Sequence, residues 1–88
     1  RGMLFLFDVP AVQGFWMKEM RFPIDIIWIR DGKVIGFEER VPVPVVGVSE
    51  SELPVYFSPE AVLMVFEIDA GEVERLEIKV GDKFDAAI

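Results

Sequence analysis

The chain reads as a mainly β protein (a β-rich α+β fold): about six strands in a compact antiparallel barrel or sandwich, with one short helix near residues 70–76. Three observations carry this reading. Apolar runs of strand length recur along the chain, bounded by Pro and Gly. Asp31-Gly32 stands between two of them, a strong hairpin signal because a type I′ turn needs positive φ at both central positions. The one helical signature is Asp69-Ala70-Gly71-Glu72, which has the form of a capping box with Asp69 as N-cap and Glu72 at N3.

The elements follow in order. Residues 3–9, MLFLFDV, are apolar on both faces until Asp8 and predict a buried strand that Pro10 ends. Residues 14–22 alternate, and Pro23 breaks the ladder because proline has no N–H to give. Residues 24–30 and 33–41 form the arms of the Asp31-Gly32 hairpin. Counting outward from a two-residue turn sets Trp28 opposite Ile35, Ile26 opposite Phe37 and Asp25 opposite Glu38. The first two are good aromatic–aliphatic pairs, whereas the third sets like charges face to face. Residues 41–59 are irregular, and Pro42 and Pro44 place their missing donors on one edge, as an edge strand or surface loop would. Residues 61–68, AVLMVFEI, are a strand apolar except at Glu67. A helix to Leu76, an extended tail and a last strand over residues 83–87 complete the reading.

Composition narrows the chemistry by exclusion. The 88 residues allow one domain, 1–88, of a size that buries only about 60–65% of its unfolded surface. Yet 52% of the residues are hydrophobic and the mean hydropathy is +0.38. Either the core is dense or apolar surface is held for a partner. No membrane span explains it, since the longest apolar run covers residues 61–66. No signal peptide is visible, and the chain begins at Arg1 rather than Met, as a fragment or processed form would. With neither Cys nor His, the chain has no Cys/His zinc site, disulfide, thiol chemistry, Ser-His-Asp triad or histidine acid–base catalysis. No cofactor or metal motif stands out.

The net charge of −7 resides in the second half: residues 1–49 hold six acids and six bases, residues 50–88 ten acids and three bases. This argues against nucleic acid as a partner, because a phosphate backbone needs clustered Lys and Arg. The absence of Asn and Thr with Glu, Lys and Arg retained resembles a thermophile's composition.

Candidate site residues cluster around Pro23. Lys18, among Trp16, Met20 and Phe22, could be desolvated into a base or nucleophile; the simpler account is a packed stem whose head reaches water or Asp25. Asp25 and Glu38, if opposite, could split their pKa values into an acid and a base; the simpler account is neutralisation by Lys18, Arg21 or Arg40. Trp16 and Trp28 could offer a stacking platform, or simply fill the core. Ser49, Ser51 and Ser58 have no histidine to activate them. Residues 41–48 could accept a partner strand by β-augmentation, or pack on their own domain.

GMLFLF at 2–7, FWMKEM at 15–20, PIDIIWI at 23–29, DGKV at 31–34, VP at 41–42 and EIDAGEVERLEIKVGDKF at 67–84 together resemble the domain-of-unknown-function family 192. The resemblance covers nearly the whole chain. Its Trp-Met-Lys and Pro-x-Asp motifs map onto Trp16, Met17, Lys18, Pro23 and Asp25, with Glu19 and Met20 where the family usually has Asn and Thr. It implies a small barrel-like β domain, a strand N-terminal to this chain in relatives, and relatives that are often extracytoplasmic. It implies no activity.

The leading expectation is therefore a binding or interaction module without catalysis, its rim built from Trp16, Met17, Lys18, Asp25 and residues 42–58. Two alternatives stand beside it. One is a small hydrolase or lyase using Lys18 with Asp25 or Glu38. The other is a structural protein that self-assembles by strand exchange, with the 42–58 segment or a vacant strand edge meeting a protein partner or a second copy.

Overall fold

The Asp31-Gly32 turn closes the central hairpin as expected, with φ of 51° and 71°. The computed structural model describes residues 2–17, 20–45, 47 and 49–84. Their strands are β1 (Gly2–Ala11), β2 (Gly14–Trp16), β3 (Ile24–Arg30), β4 (Lys33–Val41), β5 (Val55–Phe57) and β6 (Val62–Asp69); a 3-10 turn spans Glu50–Glu52 and helix α1 spans Glu72–Arg75. The main sheet has the order β1-β6-β3-β4, every pair antiparallel, and β2 pairs with β5 in a second, two-stranded sheet. Among the described residues the sheets do not close into a barrel.

Strand β3 is the axis of the fold, and every residue from Ile24 to Ile29 is buried. Its alternation is hidden in composition because both faces are covered. Ile24, Ile26 and Trp28 pack with Met17, Val41, Val62 and Val65, under Phe15 and Tyr56 of the small sheet. Ile27 and Ile29 pack with Val34, Ile68 and Val73, under Ile78 and Phe84 of the segment after α1. The rings of Phe5, Phe15 and Trp28 chain through the first core at centroid separations of 5.2 and 5.8 Å. Phe66 and Phe84 meet at 5.5 Å in the second.

Several expectations need correction. Strand β1 is an edge strand rather than a buried one: Met3, Leu6 and Val9 are 58%, 61% and 70% exposed. It also runs through Pro10, because its pairing with β6 is interrupted between Leu6 and Ala11, where a missing N–H breaks no ladder bond. The alternating segment from residue 14 is a strand only to Trp16. Met17 turns into the core, and its carbonyl accepts the Met20 N–H at 3.0 Å. The irregular segment contains a strand after all, β5, paired with β2. Of the last strand, the described residues show one bridge, Lys33 with Lys83, and residues 85–87 lie outside the description.

The hairpin register holds only at the turn. Arg30 pairs with Lys33 and Ile29 with Val34, but Trp28 then pairs with Gly36, leaving Ile35 as a bulge. A Cβ at residue 36 would lie 3.3 Å from Pro59 Cγ and 3.5 Å from Trp28 Cδ1, so a glycine lets the indole and proline ring close over the strand. Phe37 is thereby carried to Ile27 and the second core, away from Ile26. Ile26 pairs with Glu38 and Ile24 with Val41, so Glu39 and Arg40 together oppose Asp25 in a second bulge. Asp25 and Glu38 are therefore not cross-strand partners.

Core position and edge position should separate cleanly in urea denaturation. Ile26→Ala is expected to lower the unfolding free energy by about 2–5 kcal/mol, as for other buried Ile truncations. Leu6→Ala on exposed β1 should change it by no more than about 0.5 kcal/mol.

Candidate functional site

Asp25 is wholly buried, and its carboxylate is spent on the backbone. Oδ1 accepts the Arg40 N–H at 2.7 Å; Oδ2 accepts the Val73 N–H at 2.8 Å; the Gly71 N–H points between them at 3.2 and 3.1 Å. Each donor is one that secondary structure leaves over. Arg40, at φ 51°, is the bulged residue of β4, turned out of the ladder. Gly71 and Val73 belong to the first turn of α1, whose N–H groups have no intrahelical acceptor. The expected capping box does not form: Asp69 is the last residue of β6, and the N-cap is Gly71 at φ 92°, which has no side chain to cap with. A carboxylate 46 residues back in the chain serves instead. Arg40 closes the link from outside, its guanidinium paired with Glu74 of α1 and, at 3.9 Å, with Glu39.

The other expected residues separate. Glu38 pairs with Ile26 and so lies on the sheet face opposite Asp25, half-buried. Met17 is core, and Trp16 is 45% exposed. Lys18 lies outside the described residues. Ser58 is buried as a tie, its hydroxyl accepting from the Gln13 N–H at 2.9 Å and donating to the Glu60 carbonyl at 2.8 Å. Ser49, on the surface, bonds Ser51 and Glu52. Among the described residues no group of His, Cys, Asp or Glu is placed to hold a metal ion.

Three concavities stand out among the described residues. The largest, about 480 Å³, lies over the second core against α1 and reaches Lys83 and Phe84, the last described residues. The smallest, about 190 Å³, lies between Pro42–Pro44, Pro54 and Met17. The third, about 360 Å³, opens where the small sheet leans over β1, β6 and the start of β3. Met3, Phe5, Phe15, Trp16, Met20 and Phe22 form its apolar wall, and Glu67 and Asp69 of β6 supply its carboxylates. An apolar cleft of this size with a few convergent polar groups has the make-up of a ligand site.

Glu67 was visible in the sequence only as the one charge in AVLMVFEI. It pairs with Met3 on one side and Ile26 on the other, so it shares their face, towards the small sheet. Burial raises its carboxyl pKa above the ordinary glutamate value. Among the described residues its carboxylate has no hydrogen-bond or ion-pair partner, so nothing there offsets the lost hydration.

Two expected outcomes follow from these carboxylates. Asp25→Ala leaves the Gly71, Val73 and Arg40 N–H groups without their acceptor, and hydrogen bonds to a charged group are worth ~1.5–3 kcal/mol each. A loss of roughly 4–5 kcal/mol in urea denaturation, the low end for three such bonds, is expected, with increased hydrogen exchange at α1. Glu67 acts in the opposite sense. The folded state holds its proton more tightly than the unfolded chain, so its ionisation destabilises the fold as pH rises from the ordinary carboxylate range through the raised value. Glu67→Gln should therefore raise the melting temperature at pH 7 and flatten its decline as pH rises above the ordinary carboxylate range.

Comparison with known proteins matches this architecture. A search of curated proteins finds no match. Two solved structures share the fold closely. One, a protein of unknown function from Novosphingobium aromaticivorans DSM 12444, is 31% identical with a TM-score of 0.81, over 93% of this chain and 54% of that one. The other, from Sinorhizobium meliloti 1021 and described as a "putative transcription regulator", is 36% identical with a TM-score of 0.79, over 93% of this chain and 59% of that one. The chain thus spans little more than half the length of either. The family model for DUF192, "Uncharacterized ACR", matches residues 1–86, so the chain belongs to the domain-of-unknown-function family 192.

Proposed function

We propose that this domain is a binding module without catalysis of its own, and that its site is the 360 Å³ cleft under Trp16. The observation that carries the reading is the wall itself. Aromatic and methionine side chains from β1, β2 and residues 20–22 converge on one opening, and Trp16 remains 45% exposed at its mouth while Trp28 is sealed below. Of the residues first expected at the rim, Trp16 contacts ligand in this reading, while Met17 and Asp25 are buried and are not among the residues that line the cleft.

The geometry lends less support to a hydrolase or lyase. Such a mechanism needs the heads of Lys18 and Asp25 or Glu38 within hydrogen-bond reach or one water apart. Asp25 is sealed from solvent with three backbone donors, on the sheet face opposite Glu38. The description attached to the Sinorhizobium protein fits a module that reads a ligand. In this chain a net charge of −7 favours that role over direct contact with a phosphate backbone.

One observation favours a second reading, self-association by strand addition. The outer edge of β1 has no strand partner among the described residues, and Met3, Leu6 and Val9 stand exposed along it. Leu6→Lys should then convert an oligomer to a monomer in sedimentation velocity; a monomer before the substitution removes this reading.

The cleft is testable with the neutral fluorescent probe N-phenyl-1-naphthylamine. Binding should quench tryptophan emission, and the quenching should survive Trp28→Phe. Trp16→Ala should weaken probe affinity about tenfold, the equivalent of ~1.4 kcal/mol. Unchanged affinity in Trp16→Ala would place the site elsewhere.

A further inference from the structure

We infer that the cleft takes a small organic cation: a primary ammonium or guanidinium head seated at Glu67, on an apolar stem lying against Phe15, Trp16 and Phe22. This rests on the cleft being the binding site and adds the chemistry of its ligand.

The argument begins with an imbalance. Half-burying a carboxylate in an apolar wall costs hydration free energy unless a donor or opposite charge replaces the water. The described residues provide Glu67 with neither, and its cross-strand partners, Met3 and Ile26, are both apolar. Asp69 lies two positions along β6 and also lines the cleft, so both carboxylates among its described lining residues come from one stretch of strand. The faces of aromatic rings add attraction for a cation, more where water is excluded. The whole-chain charge of −7 draws cations towards such an opening and repels carboxylates and phosphates. Charge at one end and apolar surface over the rest therefore select the same kind of molecule. The volume of the cleft suits a free small molecule.

The test compares three ligands of equal length: n-hexylammonium, 1-hexanol and hexanoate, each titrated while following the Trp16 indole N–H by NMR. Hexylammonium is expected to bind about tenfold tighter than hexanol, and hexanoate more weakly than either. Raising the salt should weaken hexylammonium and leave hexanol unchanged, a measurement that needs no substitution. Glu67→Gln should bring hexylammonium down to the affinity of hexanol without altering hexanol. Equal affinity of hexylammonium and hexanol, or an amine affinity indifferent to both salt and Glu67→Gln, overturns the cation and leaves the cleft standing. No shift with any of the three overturns the cleft as well. A lysine tripeptide that binds about tenfold tighter than hexylammonium overturns the small molecule in favour of a protein partner.

Discussion

The fold depends on one buried carboxylate. Asp25 sits on the central strand, yet its two oxygens reach a bulge on β4 and the first turn of α1. Those three N–H groups are what irregularity leaves behind: a bulge frees a ladder donor, and a short helix starts with donors that have no acceptor. A four-residue helix has almost no stability of its own, since helix nucleation is unfavourable and propagation here is brief. Its position is set instead by Asp25 beneath it, Val73 in the second core and the Arg40–Glu74 pair at its flank. The charge that looked most like chemistry is the joint between three elements.

That joint has a consequence across the sheet. α1 and the following segment cover one face of β3, and the small β2–β5 sheet covers the other. It closes over Trp28 through Phe15 and Tyr56 and meets β1 through the Phe5–Phe15 ring contact, and the cleft opens where it leans over β1 and the end of β6. The high apolar content of the chain is thus divided between two real cores and one lined opening, with further apolar side chains exposed on β1.

What could be read from the sequence was local, and what could not was tertiary. Asp31-Gly32 and the run of β3 were legible because turn chemistry and strand composition need only neighbours in the chain. The bulge at Ile35 was not, because it is set by Trp28 and Pro59 closing on Gly36 from distant segments. Asp25 stood out as an unexplained charge in an apolar run, but its partners are backbone N–H groups, which carry no residue identity to search for. Asp69-Ala70-Gly71-Glu72 had the right letters for a cap and lost to a carboxylate from another strand. Trp16 was picked out as an aromatic that could meet a ligand. Glu67 carries no such signal, because a single charge in a strand usually points to water, and only the lean of β2 makes it part of a wall.

The two bulges of β4 behave like a pair of compensating insertions in a reading frame. The first, at Ile35, inverts which way the following side chains face, and the second, at Glu39 and Arg40, inverts them back. Val34 and Val41 therefore point into the second and first cores, the faces that an unbroken strand would have given them. The inversion is confined to the few residues between, Phe37 and Glu38 among them. A lineage that lost one of these extra residues would throw the rest of the strand out of phase. One that lost both would keep Val34 and Val41 in phase while giving up the packing of Ile35, the donor that Asp25 holds and the Arg40–Glu74 pair.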